Sequence, residues 1–147
     1  MSYPDQHRFA MQLAQMSRSW RAEIDRRLND LGLSQARWLV LLHLGRFDHL
    51  PTQRELAKSV GVEGPTLARL LDSLEAQGLV ERLAVPEDRR AKQVALCAKA
   101  KPLIEKIEAI STQLRREAFA GIEAEDLRRC QQVHERILGN LARLEKP

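Results

Sequence analysis

The chain has 147 residues, 44% hydrophobic but only 4% aromatic, a balance that suits aliphatic helix packing and argues against an aromatic-rich β-sandwich. No apolar run approaches the ~20 residues of a membrane span, the first residues hold no apolar signal-peptide core, and Cys97 and Cys130 offer neither a metal spacing nor a disulfide framework; a cytoplasmic protein without membrane contact or cofactor is expected. The net charge of +4 is compatible with nucleic acid, yet residues 52–92 hold 7 basic and 7 acidic side chains, so any positive face there depends on geometry that turns Asp72, Glu75 and Glu81 aside.

In chain order, Phe9, Leu13, Met16, Trp20, Ile24, Leu28 and Leu31 recur every three or four residues and predict a first helix of about six turns, broken by Gly32. Ser34 is placed to cap a second helix running through Leu44, with Trp38, Leu41 and Leu42 apolar, and residues 46–51 read as a loop. Thr52-Gln53-Arg54-Glu55 is a capping box that opens a third helix. Gly61 ends it in a tight turn, and Pro65 marks the first turn of a fourth helix, where no backbone donor is needed. Leu67, Leu70, Leu71 and Leu74 give that helix its inner face as far as Gln77, before Gly78.

A short Gly-containing turn between two such helices is the form that places the second helix in a DNA major groove. With the leucines inward, Glu63, Gly64, Pro65, Thr66, Arg69 and Ser73 face outward. Arg69 is the candidate base reader, because a guanidinium can bond guanine O6 and N7 together, and Thr66 suits a base or a phosphate. Residues 79–83 and 93–96 read as strands of a hairpin. The polar segment 85–92 between them carries Asp88, Arg89, Arg90 and Lys92, so an arginine at its tip can enter a minor groove, with Asp88 holding Arg90 in place. A solvated charged turn is the plainer reading of that segment.

Beyond Cys97, Leu103, Ile107, Ile110 and Leu114 step by 4, 3 and 4, a seam of heptad type. Gly121-Ile122-Glu123-Ala124 interrupts before a last helix bearing Leu127, Cys130, His134, Ile137, Leu141 and Leu144. Such stripes exceed what one small head covers. Pairing with a second chain is the economical use for them, and an antiparallel pair within one chain is the alternative. His7, His43, His49 and His134 are scattered, without a partner at triad or metal-site spacing and without a Gly-rich phosphate loop, so an enzyme is not expected.

The run from Leu33-Ser34-Gln35 through Trp38, the helix pair, Gly78-Leu79-Val80, Asp88-Arg89-Arg90-Ala91-Lys92 and Leu96 resembles the MarR family of bacterial regulators. Ile24–Leu28, Pro65–Arg69 and Glu117–Leu127 are most similar to its SlyA-like subgroup. The resemblance implies a mainly α fold with a small β-wing, that is, a winged helix-turn-helix with long terminal helices. It further implies a homodimer on pseudo-palindromic operator DNA, acting as repressor or anti-repressor and modulated by small aromatic acids. The implied division is a dimerisation helix over 1–33, a DNA-binding head over 34–97 and dimerisation helices over 98–147. By position, Gly64, Pro65, Thr66, Arg69 and Ser73 belong to the recognition helix, and Asp88, Arg89, Arg90 and Lys92 to the wing. Arg18, Arg21 and Trp38 belong to an aromatic-carboxylate pocket, although Leu42 stands where the subgroup has a histidine, with His43 beside it. A winged helix that docks a protein partner and does not bind DNA is the rival reading.

Overall fold

The computed structural model describes residues 3–145. The described residues form six helices and one hairpin. They are α1 (Tyr3–Leu28), α2 (Gln35–Arg46), α3 (Gln53–Val60), α4 (Gly64–Ala76), α5 (Ala100–Ala118) and α6 (Ala124–Leu144), with strands β1 (Val80–Val85) and β2 (Asp88–Leu96) between α4 and α5. A single 3₁₀ turn, Asn29–Leu31, follows α1 and ends on Gly32 in the left-handed region. The expected elements are all present, and the mainly helical fold with a two-stranded wing is the observed one. The described residues up to Gln113 form one compact unit and those from Leu114 onward another.

Local chemistry sets the boundaries. The Ser34 hydroxyl accepts from the Arg37 N–H and starts α2. At α3 both halves of the capping box form, with the Glu55 N–H donating to Thr52 Oγ1 (3.1 Å) and the Thr52 N–H donating to Glu55 Oε1 (3.2 Å). Gly61, at φ +84°, closes α3 through N–H bonds from Gly61 and Val62 to the Ala57 carbonyl. Ala57 itself is buried.

The core of the first unit is aliphatic. Leu28, Leu41, Leu56, Leu67, Leu71 and Leu74 are fully buried, each contributing about 1.5–3 kcal/mol of gross transfer energy. α5 closes on this core as well as carrying a stripe: Ile107 is fully buried, and a Cβ added at Gly45 of α2 would meet the Ile104 side chain at 3.3 Å. Arg46 and Glu108 add an α2–α5 ion pair at 3.5 Å. The Cys97 carbonyl accepts from the Ala100 N–H at the entry to α5.

The wing is longer than the sequence suggests. Residues 88–92, expected in a loop, lie within β2, where Asp88 faces Val85 and Lys92 faces Ala84, and the turn shrinks to Pro86-Glu87. Their charge is that of a loop, but an edge strand exposed to water tolerates charge equally well.

Candidate nucleic-acid interface

Helix α4 begins at Gly64 with Pro65 in its first turn and Glu63 as an N-cap whose side chain makes no capping bond. Leu67, Leu71 and Leu74 face inward and leave Gly64, Pro65, Arg69 and Asp72 exposed, with Thr66 and Ser73 half-buried. Among the described residues Arg69 has no hydrogen-bond or ion-pair partner, so its fork of donors is open to a ligand. Ser73 is differently placed. Its hydroxyl accepts from Arg37 Nη1 (3.1 Å), while Arg37 Nε donates to Ser34 Oγ (3.1 Å), which ties the middle of α4 to the cap of α2.

The carboxylates of α4 are taken up by the wing. Arg82, on β1, donates to Asp72 Oδ1 (2.5 Å) and Glu75 Oε1 (3.2 Å) through Nη2, and its backbone N–H donates to Glu75 Oε2 (3.1 Å). Glu75 is held below the usual carboxylate range by these bonds, first by the Arg82 guanidinium. One guanidinium thus engages both carboxylates of α4, offsetting one of their two charges, and ties α4 to the hairpin.

Arg89, Arg90 and Lys92 lie exposed on the outer part of β2, among the described residues without ion-pair partners. Asp88 accepts from the backbone N–H of Arg90 (2.9 Å), an Asx-type contact that fixes the main chain there; the expected hold is on the backbone, not on the guanidinium. The register shifts here as well, because Ala84 faces Lys92 while Val85 faces Asp88, leaving residues 89–91 as a bulge. The base of the wing is anchored to the entry of α3 by the Val94 N–H to Pro51 carbonyl bond (3.0 Å) and the Thr52–Gln93 bridge.

An exposed arginine on a helix after a tight turn, beside a basic hairpin, is the arrangement that comparison with known proteins bears on. Residues 31–91 match the MarR family model. The chain shares 64% identity with the transcriptional regulator PA3341, covering 92% of this chain and 98% of that one at a TM-score of 0.86. The chain belongs to the MarR family of transcriptional regulators. The fold is shared at lower identity with the DNA complex of MepR from S. aureus (22% identity, TM-score 0.82, 90% of this chain and 97% of that one). It is shared too with CouR from Rhodococcus jostii RHA1 bound to p-coumaroyl-CoA (23%, TM-score 0.77, 88% and 90%).

Of the side chains that resemblance to MarR proteins gives to an effector pocket, Arg21 lines a cavity of about 210 Å³ with Gln35, Leu39, Val62 and Leu70. Arg18 is exposed on α1, and Trp38 is buried at 3% exposure; neither lines that cavity. The Trp38 indole N–H is buried without a hydrogen-bond partner among the described residues, a cost of about 1–3 kcal/mol that an acceptor beside it would recover. His43, beside the position where the SlyA-like subgroup has its histidine, bonds through Nδ1 to Ser59 Oγ (2.9 Å) and so joins α2 to α3; burial pushes its pKa down, helped by the Arg46 charge.

The sequence reading missed two arginines, Arg37 and Arg82. Neither has a local signature: Arg82 meets Glu75 and Asp72 across 7 and 10 positions, and Arg37 meets Ser73 across 36. No sequence periodicity reports such distances.

Proposed function

We propose that this protein is a sequence-specific transcriptional regulator of the SlyA-like kind, a cytoplasmic homodimer that binds a pseudo-palindromic operator and acts as repressor or anti-repressor. The observation that carries the reading is Arg69 on the outer face of α4, without a partner among the described residues, beside a wing whose Arg82 engages both Asp72 and Glu75. Arg69 reads a base edge in the major groove, and Gly64, Pro65 and Thr66 let the first turn approach the duplex closely. Ser73 contributes by holding Arg37 against the helix. Arg90 enters the minor groove, and Asp88, Arg89 and Lys92 support or extend that contact. Two such heads span successive major grooves about 34 Å apart. A small aromatic carboxylate is the effector class suggested by Arg18, Arg21 and the unsatisfied Trp38 indole.

Fluorescence anisotropy on the duplex upstream of the protein's own gene, on a scrambled duplex and at two salt concentrations tests the reading. Specific binding with Kd of about 10⁻⁸–10⁻¹¹ M is expected. Arg69→Ala should cost about 1–3 kcal/mol and relax specificity at one base position per half-site. Arg90→Ala should weaken A·T-flanked sites most; equal loss on G·C-flanked sites would remove the minor-groove role. Weak binding, equal on every duplex in a genomic selection, would favour the protein-docking alternative.

A further inference from the structure

Between the entry to α3 and the outer part of β2 lies a cleft of about 520 Å³, with Thr52, Gln53 and Arg54 on one wall and Asp88, Arg90 and Lys92 on the other. Its charge is lopsided. Arg54, Arg90 and Lys92 are exposed cations with no ion-pair partner among the described residues. The one carboxylate, Asp88, is engaged with the Arg90 backbone N–H. The walls are held by the fold rather than by the charges. The bulge at residues 89–91 shapes one side, and the bonds joining Pro51 and Thr52 to Val94 and Gln93 keep the other at a set distance. The N–H donors at the start of α3 are partly consumed by its own capping box, so the attraction comes from side chains.

We propose that this cleft seats a phosphodiester of the DNA backbone, with Arg54 as a DNA-contacting residue that complements the base reader Arg69. The inference rests on the operator-binding reading. Three like charges gathered without counter-charges repel one another, and an anion placed among them relieves that repulsion. A phosphodiester offers two acceptor oxygens that match a guanidinium fork, and its chain continues beyond the cleft, which a lone ion does not need. Contacts to phosphate position a protein on the duplex without reading sequence. Arg54 therefore sets affinity and register, and Arg69 sets choice.

The test is a salt titration of Arg54→Gln, Arg54→Lys and a control, Lys101→Ala at the start of α5, against a selected operator duplex and a scrambled one. For Arg54→Gln the slope of log K against log salt should become shallower by about 0.9 for each head engaged, with equal proportional loss on both duplexes. Arg54→Lys should restore most of the slope, and Lys101→Ala should keep the wild-type slope. Replacing operator phosphates one at a time with neutral methylphosphonate should reveal a position in each half-site that weakens wild type but leaves Arg54→Gln no weaker. That scan of the wild-type protein also locates the contact if a variant folds poorly. An unchanged slope for Arg54→Gln beside normal wild-type binding overturns the phosphate seat and leaves the regulator reading standing; loss confined to the selected duplex also overturns it, because it marks a base contact. A wild-type protein without salt-dependent binding to any duplex overturns both.

Discussion

The head and the long helices follow the same 3.6-residue periodicity and come to different ends. In the head, Leu67, Leu71 and Leu74 of α4 are fully buried by neighbours from the same chain. In α1 the stripe divides: Ile24 and Leu28 are buried, while Phe9 and Met16 are 37% and 60% exposed. α6 has no buried residue, and Leu138 and Leu141 are 64% and 51% exposed. Periodicity therefore announces that a helix has an apolar face without saying what covers it. Exposed stripes of this length mark an interaction surface, and under the operator reading proposed above a second copy of the chain would cover it.

The contrast predicts effects of very different size. Leu71→Ala empties a closed core position and should cost about 2–5 kcal/mol in chemical denaturation, whatever the protein concentration. Paired Leu138→Asp and Leu141→Asp substitutions on α6 should instead leave the head folded and halve the mass seen in sedimentation. A head that melts with them would mean that it does not close on its own.

Glycine-to-alanine changes sharpen the same contrast by sign. At Gly61 the backbone sits at φ +84° with open space around the missing Cβ, so Gly61→Ala is strained by conformation alone and should lose roughly 1–2 kcal/mol. At Gly139, inside α6 and equally open, the same change should gain roughly 0.5–1 kcal/mol from helix propensity. A loss at Gly139 in thermal melts would place another surface against that turn of α6.

The smallest effect is a pH dependence within the head. His49 bridges Asp48 (2.9 Å) and Glu55 (3.0 Å), and its pKa is raised by the bond to Asp48 first and Glu55 second. A raised folded pKa means that this contribution is complete below the unfolded value near 6.5 and is lost as pH climbs through the folded one. His43 has the opposite sign: its pKa is lowered by burial, so folding weakens as pH falls below about 6.5. The melting temperature of His49→Asn should fall short of wild type by more at pH 5.5 than at pH 8.5. A gap that widens with pH would contradict the bridge.

Much of this molecule is legible in the chain, because its boundaries are written in local chemistry. The Thr52–Glu55 box, the Ser34 cap, the Gly61 turn and Pro65 act within four residues of themselves, and each lies where its residues predict. The wing was harder, since Arg89, Arg90 and Lys92 have the polarity of a loop and yet lie within β2, Lys92 paired to Ala84 and the two arginines in the bulge. The cleft between α3 and β2 was invisible. It depends on a register shift and on a wing anchored to Pro51 and Thr52, neither of which leaves a compositional trace. Asp72 and Glu75 looked like obstacles to DNA until Arg82 arrived from the next element.

The central proposal is one head per chain and two chains per operator. Sedimentation of the protein with a labelled duplex, chosen by selection from random sequence, measures this directly. The predicted result is one duplex carrying two chains, formed cooperatively and dissolved by salt. A saturated complex of a single chain per duplex, or no duplex enriched at all, would contradict it.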